Sequence, residues 1–327
     1  MRLRIAALLL VLATSGPCAA QQVTWELINE YPATSLAGEA DSFFAAAVAR
    51  KTAGRVAIVP IPDARSGLRS AQHLKAVSDG RFAMANSVGG TLGDESPIFL
   101  LSSLPFLTRS AADARALYEA ALPAYGAVYA ERQQKLLYAS PWPPSGLWSA
   151  RPVPDLATLR ALKVRTYDQT GTEMFRQVAA SASVVSFADL NSKLAGGEID
   201  AVLSSGDGGA GRELWKHLSF FSDIYYAVPM SFAAVSLEAW AKLDDATRVA
   251  IEDAARETTQ HQWAALSGRV EQNFARMRQN GMTIDEHPPG DVMAALRAAA
   301  AKSISEWQNR AGRQAAEVLE AYRARTR

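Results

Sequence analysis

The sequence has little of what many chemistries require. It holds one cysteine among 327 residues, which excludes an internal disulfide, a CxxC redox pair and a thiolate zinc cluster. It has four histidines, His73, His217, His261 and His287, and their spacing fits no metal-ligand pattern. No GxSxG, HExxH or Walker loop occurs, and the carboxylates show no division into acid and base, so no catalytic residue is assigned. The formal net charge is only +1, far from the basic excess of a nucleic-acid binder. No repeat recurs at a fixed period. The longest apolar run, Ile5 to Ala13, is about half of the roughly 20 residues that cross a bilayer.

What is present begins with that run. Arg2 and Arg4 precede it, and a turn-forming stretch ending Cys18-Ala19-Ala20 follows, the three-part pattern of a secretory signal peptide over residues 1–20. Cleavage after Ala20 would remove the only cysteine and two arginines together, leaving a thiol-free, nearly neutral chain suited to an exported protein without disulfides. Acylation of Cys18 is the competing reading, although Ser15-Gly16-Pro17 lacks the apolar residue usual three positions before a lipidated cysteine.

With 49% hydrophobic residues, the chain supports a large core, and its length favours two lobes. From Val23 onward, short β-like runs alternate with helical ones: strands at 23–28, 55–60, 82–86 and 135–139, and helices at 37–52, 71–78 and 111–133. The pattern restarts after Pro141-Trp142-Pro143-Pro144, with helices at 155–162, 172–180 and 188–195 and strands at 163–167, 184–187 and 199–204. Such alternation predicts mostly parallel sheets covered by helices, an α/β fold. Beyond Leu237 the chain reads as helical. Asp244 or Asp245 caps a helix reaching Asn280, with Trp263, Leu266, Val270, Phe274 and Met277 along one stripe. A short strand at 282–285 and one last helix at 290–325 close the chain. The expected division is 21–144 for lobe one with part of about 235–281, and 145–234 for lobe two with the C-terminal helices of about 282–327.

Gly206-Asp207-Gly208-Gly209-Ala210-Gly211 matches GxGxxG after a strand, but Arg212 to His217 and then an aromatic run follow it, without a helix of the required length. The segment reads instead as a flexible turn whose backbone N–H groups meet an anionic ligand group. Arg165 lies within a short strand between helices, where it is either solvated at an edge or aimed into a cleft, its planar fork matched to a carboxylate. Two aromatic groups, Trp142 with Trp148 and Trp215 through Tyr226, read either as core packing or as the wall of a cleft.

Several segments carry a family resemblance: Gly80-Arg81-Phe82-Ala83-Met84, Ser103-Leu104-Pro105-Phe106-Leu107, Asp155-Leu156 through Leu162-Lys163-Val164-Arg165, Phe187-Ala188-Asp189-Leu190 to Leu194, and Gly197-Glu198-Ile199-Asp200-Ala201. In this order they resemble the solute receptors of tripartite ATP-independent periplasmic (TRAP) transporters, the DctP type. The resemblance implies a two-lobed periplasmic-binding-protein fold with a central cleft, β-strand connections and long C-terminal helices. It also implies capture of a small organic acid in the periplasm and delivery to the two membrane permease subunits of a TRAP transporter, with no cofactor. Arg165 matches the family's carboxylate-binding arginine. Ser204 stands where many members carry asparagine. Where the sialic-acid type has a further arginine, this chain reads Ser145-Gly146-Leu147-Trp148, which argues against a sugar acid. The expected ligand is a monocarboxylate with an apolar or aromatic body. Arg165 would clamp it, Tyr167, Ser204 and Ser205 would offer hydrogen bonds, and Trp142, Trp148 and Phe221 would wall the cleft. Arg69 is a candidate second cation, or a solvated residue at a helix start. A secreted enzyme acting on organic acids and a receptor feeding a sensor are the competing functions.

Overall fold

The computed structural model describes residues 22–326, and the expected signal peptide lies outside the described residues. Strand β1 (Val23–Asn29) runs parallel to β2 (Val56–Ile61) on one side and β3 (Met84–Val88) on the other. Helices α1 (Leu36–Lys51) and α2 (Ser70–Ser78) make the connections, since parallel neighbours need crossover helices. Ser35 starts α1 by accepting the Gly38 N–H at 3.1 Å, one of the four donors a helix start leaves unpaired. Helix α3 (Ala111–Glu131) then leads to β4 (Gln134–Pro141).

Residues 142–144 carry the chain into a second sheet at β5 (Ser145–Ser149). There follow α4 (Leu156–Arg160), β6 (Lys163–Thr166), α5 (Gln169–Gln177), β7 (Ser181–Val184), α6 (Leu190–Ala195), β8 (Ala201–Ser205), α7 (Gly206–Gly211) and β9 (Phe220–Ser222). Residues 223–229 return to the first sheet, where β10 (Met230–Ser236) lies antiparallel to both β3 and β4. Next come α8 (Leu237–Ala241), α9 (Asp245–Gln279), β11 (Thr283–Asp285), α10 (Gly290–Ala311) and α11 (Arg313–Arg325). The first sheet is ordered β2-β1-β3-β10-β4 and the second β11-β9-β5-β8-β6-β7.

Two lobes thus form, joined by the passages β4 to β5 and β9 to β10 and spanned by α9. Asp244 caps α9 by accepting the Thr247 N–H at 2.7 Å. Its 35 residues extend about 52 Å, long enough to pack on α1 and β4 in one lobe and on α7 and β11 in the other. Trp263, Leu266 and Met277 of the expected stripe are buried.

Several sequence expectations are corrected. The three strands β5, β9 and β10 were not legible, and both sheets are mixed where mostly parallel ones were expected. Strand β7 ends at Val184, where a strand over 184–187 was expected, because Phe187 turns inward in a single 3-10 turn. The last helix is two helices, broken at Gly312 with φ +56°, a left-handed position that favours glycine. The glycine segment is no flexible turn but helix α7: the Ser205 Oγ accepts the Gly208 N–H at 3.0 Å. Its glycines admit close neighbours, since a Cβ on Gly209 would lie 2.0 Å from the Trp148 ring. Strand β10, most of which falls in the span 145–234, hydrogen-bonds in the first sheet, and α11, from the C-terminal span, packs on α3 of the first lobe.

Candidate functional site

The C-terminal ends of β1, β6 and β8 converge on the space between the lobes, the position where open α/β sheets place ligands. A cavity of about 300 Å³ there is lined by Tyr31, Val88, Trp142, Ser145, Arg165, Tyr167, Ser204, Ser205, Gly208 and Pro229. Arg165 is its only charged lining residue.

Arg165 projects from β6 and is 2% exposed. Its Nε donates to the Val185 carbonyl at 2.8 Å and its Nη1 to the Leu203 carbonyl at 3.2 Å. The Tyr31 phenol faces it from the other lobe. Among the described residues it forms no ion pair, although Glu30 attracts it from beyond ion-pairing distance. Burial pushes its pKa down, with Tyr31, Glu30 and Tyr167 opposing. A buried charge without a partner is expensive, and a guanidinium held by two neutral carbonyls keeps its full charge for an anion arriving from outside.

The remaining polar groups are neutral. The Tyr167 hydroxyl lies 3.5 Å from the Ser145 Oγ, and Ser204 and Ser205 end β8. The Trp142 Nε1 donates to the Ser231 Oγ at 2.9 Å, so the indole offers the cavity an apolar surface and no donor. Trp142 also packs on Tyr31, with ring centroids 4.6 Å apart.

Of the sequence-proposed residues, Arg165, Tyr167, Ser204, Ser205 and Trp142 meet in this cavity. Trp148 and Phe221 do not line it. They are register partners on β5 and β9 and pack edge to face at 5.3 Å. Together they fill the core beneath α7 and α9, where the Gly209 backbone closes over the Trp148 ring. Arg69 stands outside as well: its Nη2 lies 2.7 Å from Asp189 across the cleft, and both side chains are partly exposed. Sequence reasoning missed Tyr31, Val88, Ser145 and Pro229; Gly208 belongs to the glycine segment expected to meet the ligand. Tyr31 was findable as a residue just past the carboxyl end of a strand; Ser145 opens the unread strand β5, and Pro229 lies in the unread return between the lobes.

A second cavity, of about 640 Å³, adjoins the first and shares Tyr31, Arg165 and Tyr167 with it. Glu30 and Asp168 line it. The Glu30 carboxylate bridges the lobes: it accepts from the Ser70 N–H at 2.7 Å, from the Ala188 N–H at 2.9 Å and from the Ser186 hydroxyl. Burial alone would raise its pKa, but these hydrogen bonds outweigh it and hold the group below the usual glutamate range. Asp168 caps α5 through the Gly171 N–H at 3.0 Å, and burial raises its pKa to about 6. Asp207 of α7 adds another inter-lobe bond, accepting the Leu36 N–H at 2.6 Å.

No group of three or more acidic, histidine or cysteine side chains among the described residues is placed to hold a metal ion, and no described helix is long and apolar enough to cross a membrane.

Residues 29–310 match the family of bacterial extracellular solute-binding proteins, family 7, or DctP. The chain belongs to this family. It is similar to DctP7 of Bordetella pertussis, an extracytoplasmic solute receptor binding pyroglutamic acid, with a TM-score of 0.89 and 26% identity over 92% of this chain and 99% of that one. DctP6 of the same organism, also a pyroglutamic acid receptor, superposes with a TM-score of 0.88 at 25% identity, covering 92% of this chain and all of that one. A solute-binding protein of Chromohalobacter salexigens is 24% identical over 283 residues, 85% of this chain and 83% of its own length. Family and fold are those of TRAP solute receptors, which are binding proteins of the periplasm. The lobes, the inter-lobe strands and the spanning helix agree with that resemblance.

Proposed function

We propose that this protein is a periplasmic receptor for a small monocarboxylate, which it captures between its lobes and delivers to the membrane permease of a TRAP transporter after export and signal-peptide removal. One observation carries the reading: a buried arginine, oriented by two backbone carbonyls and free of any ion pair, in a small cavity whose other lining groups are neutral. The Arg165 fork takes the carboxylate in two parallel hydrogen bonds. Tyr167, Ser145, Ser204 and Ser205 hydrogen-bond polar atoms of the ligand body, and Trp142, Val88 and Pro229 cover its apolar part. Glu30, the pair Arg69–Asp189 and Asp207 hold the lobes together around it.

The pyroglutamic acid receptors of Bordetella pertussis support a compact ligand of this kind, a ring with one carboxylate and one amide. Titration calorimetry with pyroglutamate and other small monocarboxylates tests the proposal. Saturable binding by the wild type and its loss in Arg165→Ala are expected; recovery of unaltered ligand after long incubation separates a receptor from an enzyme. Failure of every carboxylate to bind the folded wild type would overturn it.

A further inference from the structure

The cavities on either side of Arg165 differ in charge. The first holds no carboxylate, whereas the second is lined by Glu30, Asp94 and Asp168. Its two arginines do not balance these. Arg165 is the clamp, and Arg69 donates from Nη2 to Asp189 at 2.7 Å and from Nε at 3.4 Å. Glu30 is the most rigidly placed of the acids. It is 2% exposed, and both carboxylate oxygens are fixed by donors: Ser70 of its own lobe on one, Ser186 and Ala188 of the other lobe on the other. A carboxylate held by such bonds keeps its charge. Any ligand long enough to pass from the clamp into the second cavity therefore ends beside a fixed negative charge.

We infer that Glu30 is a specificity residue that filters ligands by charge, admitting a neutral second end and rejecting a second carboxylate. The inference rests on the reading of Arg165 as a carboxylate clamp. Like charges brought together in a closed, poorly hydrated site are strongly disfavoured, whereas an amide or hydroxyl end meets the remaining acceptor capacity of Glu30 and Asp168. Glu30 thus serves twice, closing the lobes on one side and setting the charge of the ligand on the other.

The test compares glutarate with its isosteric monoamide, alongside pyroglutamate, by calorimetry on the full mature chain. The wild type is expected to bind the monoamide at least about tenfold more tightly than the diacid, and Glu30→Gln to bring that ratio towards one. Because Gln also gives up part of the inter-lobe bonding, absolute affinities fall for every ligand; the ratio cancels this common cost. Ser186→Ala loosens the same contact without changing charge and should leave the ratio at its wild-type value. The wild-type ratio stands without any variant, so a Glu30→Gln protein that fails to fold leaves the inference testable. Equal binding of both acids by the wild type overturns the filter, as does an unchanged ratio in Glu30→Gln. If pyroglutamate binds while both chain acids are refused by wild type and Glu30→Gln alike, exclusion is by size and the filter is again wrong. If no carboxylate binds the wild type, the clamp itself fails.

Discussion

Asp41 in the first lobe and Arg165 in the second are both charged and almost completely buried, and the two are treated in opposite ways. In the first lobe Asp41 of α1 accepts from the Asn29 amide at 2.7 Å, the Asn86 amide at 2.6 Å and the Tyr138 hydroxyl at 2.6 Å. These partners come from β1, β3 and β4, so the charge is met by donors of its own lobe and ties the helix to its sheet. In the second lobe Arg165 is as deeply buried but is met by two neutral carbonyls and opens onto a cavity. A buried charge completed from within its own lobe is structural; one left for an outside partner marks a site. The contrast has consequences that separate stability from binding.

The largest effect is expected at Arg165. Truncating one member of a buried charge pair costs ~2–5 kcal/mol, so Arg165→Ala should raise Kd for the bound acid by roughly 30-fold or more. Arg165→Lys should recover only part of this, because an ammonium lacks the bidentate fork. Calorimetry reads both, and unchanged affinity in the alanine variant would remove Arg165 from the site. The ligand-free protein should lose little stability, since in the empty receptor the arginine has no charged partner to lose.

At Asp41 the expectation reverses. Asp41→Ala leaves three buried donors without their acceptor, and unfolding in urea should show a loss of about 3 kcal/mol, while the folded fraction binds ligand as the wild type does. Tyr138→Phe removes one donor of the three and should cost about 1–2 kcal/mol. If Asp41→Ala weakened binding more than stability, the division between structural and site charges would fail.

The sequence revealed these two residues unequally. Arg165 stood out because a charged residue in a short strand between helices has few explanations. Asp41 sits among alanines and phenylalanines of an amphipathic helix, and its partners are 12, 45 and 97 residues away, pairings that only the folded sheet creates. The aromatics misled for a local reason. By register Trp148 shares its face of the sheet with Arg165, both being partners of Val202, but helix α7 covers its ring, which a Cβ on Gly209 would meet at 2.0 Å. Without knowing that the glycine segment was a helix, a Trp near the cleft in sequence reads as a Trp in the cleft. The strands β5, β9 and β10 were hidden because they are short or buried throughout, and burial on both faces erases the polar alternation by which half-exposed strands are recognised. The start of α9 was more legible, since its cap Asp244 acts through a neighbour three positions on.

The smallest effect concerns the acid that belongs wholly to neither class. Asp168 caps α5 within the second lobe through one oxygen, as a structural residue would, yet its other oxygen packs against the first lobe, where a Cβ on Gly90 would lie 2.3 Å from it. Burial in the closed protein raises its pKa to about 6; opening the lobes uncovers it and lets it return towards the usual value of about 3.9. Closure therefore takes up a proton in the window between these values, and ligand affinity, which includes closure, rises as pH falls through 6 and levels off below the open-state value. Between pH 7.5 and 5.5 the gain should be about fourfold. Glu30, held below the usual glutamate range, stays ionised across this interval, as does a ligand carboxylate of ordinary acidity. Asp168→Asn should flatten the profile while retaining binding. A wild-type affinity independent of pH over this range would place Asp168 with Asp41, as a charge settled within its own lobe.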